Sequence, residues 1–186
     1  MVKFLKNLQI IIILAGSFSL SAVESPVKRG LLCGRLTIAP GYLTGPEESA
    51  IYLSGSSEYF LSSILSLRSD GFFYVGSGAN TANLEYNHQG FLGIMFHMNK
   101  TKAFDPFVGF EPGFAIVKSQ APGTVGESAV SPVILLQAGF NYFAVDYFHF
   151  FASLQYTYGS YFHSKVQTLS LSEFRISTGL GFNVNL

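Results

Sequence analysis

The sequence predicts an all-β fold, an eight-stranded antiparallel up-and-down barrel that crosses a membrane. Eight segments alternate apolar and polar residues with a period of two, which is typical of strands. The connections between them alternate between short and longer ones, as in outer-membrane barrels with tight turns at one end and loops at the other. Charged residues make up only 12% of the chain, against about a quarter in soluble domains.

The composition also excludes several other classes of protein. The formal net charge is zero and the basic residues are not clustered, so nothing indicates a nucleic-acid partner. No segment beyond the N-terminal region supplies eighteen consecutive apolar residues for a spanning helix. The single cysteine, Cys33, cannot form an internal disulfide, and we predict that it packs as a small apolar residue.

The N-terminal residues have the order of a secretory signal peptide. Lys3 and Lys6 precede a short apolar run centred on residues 10–14, and small residues follow in "GSFSLSAVES". The run is too short for a membrane-spanning anchor. We therefore predict a signal peptide at residues 1–22 and a barrel domain at residues 23–186.

Turn-forming residues separate the eight predicted strands. The connections are "TGPEES", "SSI", "GANTANLEYN", "NKTKA", "QAPGTVGES", "VDY" and "HSKVQTL", several of them rich in Gly, Pro, Asn, Asp and Ser. The predicted strands are Leu31–Leu43, Ala50–Leu61, Leu65–Ser77, His88–Met98, Phe104–Lys118, Ser131–Ala144, Phe148–Tyr161 and Ser172–Leu186.

The first three predicted strands alternate less cleanly, although each has apolar residues on one face. The last five alternate clearly. In those five, residues of one parity are large and apolar, whereas the other parity holds mostly Gly, Ser, Gln and Asn. The apolar sets include Leu92, Ile94, Phe96 and Met98; Val108, Phe110, Phe114 and Ile116; Ile134, Leu136, Ala138, Phe140 and Tyr142; Phe148, Phe150, Ala152, Leu154, Tyr156 and Tyr158; and Phe174, Ile176, Leu180, Phe182, Val184 and Leu186.

Two architectures produce this alternation. A soluble barrel, such as a lipocalin-like one, turns its apolar face inward and its polar face to water, and a membrane barrel does the reverse. The polar faces here carry few charges, which suits a water-exposed surface poorly. Every segment supplies the roughly nine to eleven residues needed to cross a bilayer at a tilt. We therefore favour the membrane barrel, with the soluble barrel as the alternative.

The chain resembles small outer-membrane barrels such as the transmembrane domain of OmpA. The ending "STGLGFNVNL" is similar to the C-terminal signal read by the barrel assembly machinery, and "EYFLSSILSLRSDGFFYV" is similar to a hairpin of such families. The resemblance implies a location in the outer membrane of a Gram-negative bacterium, with lipids and the assembly machinery as partners; we expect a monomer. The signal residues are Ser177, Gly179, Phe182, Val184 and Leu186, the last standing where the family usually has Phe.

With the apolar sets facing lipid, the opposite parity defines the residues of the lumen. The interior of an eight-stranded barrel is just wide enough for side chains, and charges buried there need partners. We predict an ionic network that plugs the lumen; the alternative is that some of these groups are hydrated at the rims. The predicted network is Arg35, Glu58, Arg68, Asp70, Glu111 and Arg175, three of each sign, with His97, Gln137, Asn141 and Gln155 beside it.

These features predict a structural or surface-interaction role. The alternatives are a narrow pore for small solutes or ions and a lipid A-modifying enzyme. For the enzyme, His163 and Ser164 with Glu173 invite comparison with outer-membrane deacylases, but adjacent strand residues point to opposite faces. We predict no catalytic residues, no cofactor and no metal site, since the four histidines lack metal-ligand spacing. Interface girdles are predicted at Tyr42, Tyr59, Phe104, Tyr142, Tyr147 and Tyr161.

Overall fold

The computed structural model describes residues 27–78, 84–98, 103–120, 128–161 and 169–186, and the predicted signal peptide lies outside these ranges. The described residues form nine strands. They are β1 (Leu31–Leu43), β2 (Glu48–Phe60), β3 (Leu65–Ser77), β4 (Leu84–His97), β5 (Phe104–Ser119), β6 (Ala129–Val145), β7 (Phe148–Tyr161), β8 (Leu169–Ser170) and β9 (Glu173–Asn185).

Eight of these strands close into a barrel. Each of β1 to β6 pairs antiparallel with the strand that follows it, β7 pairs with β9, and β9 pairs with β1. The two-residue β8 pairs only with the end of β7. The predicted all-β, eight-stranded up-and-down barrel is thus confirmed. We call the end where β1, β3, β5 and β7 begin the turn end, and the opposite end the loop end.

Among the described residues, no helix is long and apolar enough to cross a membrane.

The predicted strand limits hold within about two residues, except at β4. This strand begins at Leu84, four residues before its predicted start, inside the connection that we read as "GANTANLEYN". Asn87 resembles a turn residue in the sequence, but it is buried and its amide donates to the Tyr52 hydroxyl at 3.2 Å. A polar residue is accommodated in this strand because its face is the interior of the barrel.

The outer surface of the barrel is an apolar belt. The apolar parity of each strand points outward; Leu36, Phe73 and Phe182, for example, are 60–70% exposed. On β5 the belt extends from Phe104 to Ile116, about 40 Å along the strand and about 30 Å along the barrel axis at a tilt near 40°. That height matches the hydrocarbon thickness of a bilayer, about 30 Å.

The predicted girdle of aromatic residues is correct in part. Tyr42, Tyr59, Phe104 and Tyr147 are exposed, as residues at a membrane interface would be. The assignment of Tyr161 is wrong, because its side chain is fully buried. Tyr161 has the parity of the inward residues of β7 and packs in the apolar cluster at the loop end.

Apolar side chains fill both ends of the interior. At the turn end, a small cluster includes Val27, which precedes β1 and packs under the barrel. At the loop end, a larger cluster draws on residues from every barrel strand except β9, with Leu171 just before β9. The turn-end cluster is Val27, Leu31, Cys33, Phe60 and Phe143, and the loop-end cluster includes Leu43, Tyr52, Phe72, Leu84, Val117, Leu135, Tyr161 and Leu171.

Candidate functional site

The middle of the barrel holds the charged side chains, and the first group surrounds Glu58 near the turn end. The register of β1 and β2 places Arg35 opposite Ser56, so Glu58 is its diagonal neighbour on the inner face. Arg35 Nη2 lies 2.5 Å from Glu58 Oε2, and the Ser66 hydroxyl donates to Oε1 at 2.6 Å. Glu58 is 1% exposed, so this pair is shielded from water.

His97 extends this group to a second carboxylate. Its Nε2 lies 3.0 Å from Glu58 Oε1 and its Nδ1 lies 2.8 Å from Asp105 Oδ2. Both ring nitrogens can donate only when the ring is an imidazolium, so the geometry fits a positive charge between two negative ones. Asn141 completes the connection, since its amide donates to Asp105 and its carbonyl accepts from Arg35.

His149 has the opposite role on the far side of Arg35. Its Nε2 accepts a hydrogen bond from Arg35 Nε at 3.0 Å, and its Nδ1 lies 2.6 Å from Asn183 Oδ1. An accepting Nε2 requires a neutral ring with the hydrogen on Nδ1. Because the His149 ring is neutral, the charged members of the turn-end group are Arg35 and His97, paired with the carboxylates of Glu58 and Asp105.

A second group lies at mid-height. Arg68 Nε lies 2.8 Å from Asp70 Oδ2, both side chains being almost fully buried. The Gln137 amide nitrogen donates to Asp70 at 3.2 Å and also to Glu111. Gln155 donates in turn to the carbonyl of Gln137 at 3.4 Å. At mid-height, the Arg68 guanidinium and the Gln137 amide are thus the partners of two carboxyl groups, those of Asp70 and Glu111.

The third group surrounds Arg175, below the apolar cluster of the loop end. Arg175 Nη1 donates to Gln89 Oε1 at 2.8 Å and lies 3.4 Å from Glu173 Oε2, while Nη2 donates to the Thr157 hydroxyl. Its guanidinium carbon lies 3.9 Å from the centroid of the Phe72 ring, a cation–π contact. The side chain is 1% exposed and therefore lies inside the barrel, shielded from water.

One small cavity lies between the first two groups. It has a volume of about 10 Å³, room for about one water molecule. Arg35 and Arg68 both line it, and each has an Nη1 atom with no hydrogen-bond acceptor in the described part of the chain. In those same ranges, no three His, Cys, Asp or Glu side chains are arranged to hold a metal ion.

The structure places all six predicted network residues inside the barrel, but in three separate groups. Arg35 and Glu58 form a direct pair, as do Arg68 and Asp70. Glu111 joins the second pair through Gln137. Arg175 contacts neither Glu111 nor any other member of the predicted set, and its ionic partner is Glu173.

Several interior residues were missed, and the expected balance of charges is wrong as a result. Three further carboxylates are buried, those of Glu48, Asp105 and Glu173. Parity could have found them, because Asp105 has the parity of Glu111, and Glu173 that of Arg175. All three lie near the ends of their strands, where the apolar clusters at both ends of the barrel shield them from water. Gln89, His149 and Asn183 are also buried and were not predicted.

The residues of the predicted assembly signal lie on both faces of β9. Ser177 and Gly179 point inward, and Ser177 donates to Gln155 at 3.2 Å. Phe182, Val184 and Leu186 point outward and are 70%, 52% and 79% exposed. Their recognition by the assembly machinery stays a prediction.

The closed wall, the apolar belt and the polar, side-chain-filled interior define the class of this protein. A barrel that is apolar outside and polar inside is the inverse of a soluble one, and the pairing of β1 with β9 closes the sheet so that it has no free edge strand. The chain therefore has the fold of a small transmembrane β-barrel of the outer-membrane type.

Comparison with known structures agrees with this class. The chain is similar to the N-terminal barrel domain of OprF of Pseudomonas aeruginosa, with a TM-score of 0.60 and 18% identity over 84% of this chain and 98% of that one. The outer membrane protein OprG of Pseudomonas aeruginosa gives a TM-score of 0.66 and 13% identity over 88% and 100%. Neisserial surface protein A gives 0.59 and 10% over 84% and 96%. No protein family and no curated protein matches the sequence.

Proposed function

We propose that this chain is an outer-membrane barrel with a closed lumen, which serves a structural or surface-interaction role. The observation that carries the proposal is that side chains occupy both ends and the middle of the interior in the part of the barrel that the structure describes. Apolar clusters occupy both ends, three hydrogen-bonded groups occupy the middle, and the cavity between two of these groups has a volume of only about 10 Å³. The outer face of the wall then contacts lipid, and the side chains inside the barrel stabilise the wall.

The proposal includes the partners and the orientation. The surrounding lipids contact the apolar belt, and the assembly machinery reads the closing strand through Phe182, Val184 and Leu186, which are exposed on its outer face. In an up-and-down barrel that begins and ends at the turn end, this end faces the periplasm. The protein is a monomer in the membrane.

Cell fractionation tests the membrane location. We expect the protein in the outer-membrane fraction, extractable only with detergent, with a gel mobility that differs between unheated and boiled samples because the closed barrel resists the detergent. A periplasmic loading control shows that the fractions are clean. Recovery in the soluble periplasmic fraction without detergent would contradict the proposal and favour the soluble barrel.

A narrow pore is the main alternative function. It would need a continuous path, and three obstacles lie along the axis: the group around Glu58, the group around Asp70, and Arg175 packed on Phe72. These groups are held by hydrogen bonds as well as by charge, so opening a path would leave buried charges without partners. Conductance across a planar bilayer separates a closed barrel from a pore.

We also propose that the chain is not an enzyme. Of the three residues that suggested a deacylase, His163 and Ser164 lie outside the described residues. The third, Glu173, is fully buried, and its carboxylate accepts from the Tyr52 hydroxyl at 2.9 Å and pairs with Arg175. These contacts give Glu173 a structural role. Mass spectrometry of lipid A from cells with and without the gene tests this directly, and a difference in acylation would contradict it.

A further inference from the structure

The wall of the barrel is split between β3 and β4 near the loop end. In the described residues, backbone pairing of these strands runs from Leu65 and Phe96 to Phe72 and Gln89, and stops there. Beyond this point β3 continues to Ser77, paired only with β2, and β4 begins at Leu84, paired only with β5. The two strands therefore diverge, and this stretch of wall is a seam without a backbone ladder.

A histidine side chain bridges the seam. The backbone N–H of Tyr74 donates to Nδ1 of His88 at 3.0 Å, in place of a backbone carbonyl of β4. The His88 ring also stacks on Phe73, with centroids 4.2 Å apart, and on Tyr86. Since Nδ1 accepts, the hydrogen of the neutral ring is on Nε2. That N–H has no acceptor in the described part of the chain, and it lies on the outer face.

Directly beside the seam, the outer surface is hollowed into a groove. Gly55 and Gly71 pair with each other on β2 and β3 and form its floor. Its sides include Leu36, Leu53 and Phe73, and His88 lies on its rim. The volume is about 390 Å³, within the range of ligand-binding clefts, although the opening faces the apolar belt.

We propose that this groove binds one acyl chain of lipid A, the lipid that faces it when the loop end points outward, with His88 Nε2 donating to an ester oxygen of the same lipid. The groove is continuous with the belt, so hydrocarbon is what faces it once the barrel is in a membrane. The position of His88 matches the polar end of a lipid, because it pairs with Ile116, the last apolar outward residue of β5 before Lys118. A lipid held there runs from the interface at His88 down to the glycine floor.

This inference rests on the proposed membrane location, and the test separates the two. The folded protein in detergent is titrated with lipid A, and native mass spectrometry counts the bound lipids. Gly71→Leu fills the groove; a Cβ there meets nothing closer than 3.8 Å, so the wall accepts it. Gly34→Leu is the matched control, since Gly34 also faces outward, lies outside the groove and has nothing within 4 Å of its Cβ position.

We expect one tightly bound lipid on the wild-type protein and on Gly34→Leu, and at least tenfold weaker binding to Gly71→Leu. His88→Phe keeps a ring against Phe73 but removes the donor, and it should weaken binding severalfold. Equal affinity in all four proteins would overturn the site, and an unchanged His88→Phe would overturn the polar contact.

A protein dimer that Gly71→Leu abolishes would assign the groove to a second copy instead. Heat-modified mobility of each variant checks the barrel itself, and its loss from the wild-type protein would contradict the proposed function rather than the groove.

Discussion

Replacing Glu58 with alanine is expected to lower the free energy of unfolding by about 3–5 kcal/mol, the cost of leaving a buried charge without its partner. Glu58 is almost fully buried and accepts from Arg35 and Ser66 while facing His97. Its removal leaves two cationic side chains near one remaining carboxylate, that of Asp105, in a place water does not reach. Urea titration of the protein folded in lipid vesicles measures the change, with heat-modified mobility reporting the folded fraction.

The matched control is Glu85→Ala. Glu85 also forms an ion pair, 2.7 Å from Lys118 Nζ, but both side chains are a third or more exposed at the loop end. Surface pairs of this kind contribute about 0–1 kcal/mol, so this variant should unfold close to the wild type. Similar losses for Glu58→Ala and Glu85→Ala would contradict the assignment of Glu58 to a dry interior.

Arg175→Ala is expected to have an effect of similar size, about 3–5 kcal/mol, for two reasons. It leaves the buried Glu173 carboxylate without its cation, and it removes the side chain packed against the Phe72 ring. Gln89 and Thr157 also lose their partner. The same urea titration measures the loss.

Two further variants define the role of Arg175. Arg29→Ala removes an exposed arginine at the turn end and should change the unfolding free energy by less than about 0.5 kcal/mol. Arg175→Lys keeps the charge but not the planar fork of donors, so it should recover only part of the stability. Full stability of Arg175→Ala would show that the third interior group does not support the barrel.

The barrel could be predicted because the same alternation of apolar and polar residues recurs in strand after strand along the chain. Alternation in β4, β5, β6, β7 and β9 predicts both the strands and their faces, and the low charge of the polar faces indicates which face meets lipid. The start of β4 could not be predicted in this way, since Asn87 has the chemistry of a turn residue. Only the position of Tyr52 across the lumen shows why an amide belongs there.

The interior could be predicted as a set of residues but not as a set of partners. The alternation along each strand predicts that Arg175 and Glu111 point inward, but it does not predict which strands face each other across the lumen. That depends on the tilt and stagger of the closed sheet. Arg175 therefore pairs with Glu173, two positions away on its own strand, rather than with Glu111. The seam at His88 could not be predicted either, because the alternation within a strand does not record where that strand diverges from its neighbour.

The central claim is that the interior is closed, and the conductance of the wild-type protein in planar bilayers tests it most directly. The folded, heat-modifiable protein is added to a bilayer at moderate salt, with a boiled sample as the control for detergent and unfolded chain. We predict no steady channel, because Arg35, Asp70 and Arg175 are held in hydrogen-bonded groups across the axis. Reproducible single-channel steps from the folded sample, absent from the boiled one, would show a continuous path and contradict the closed barrel.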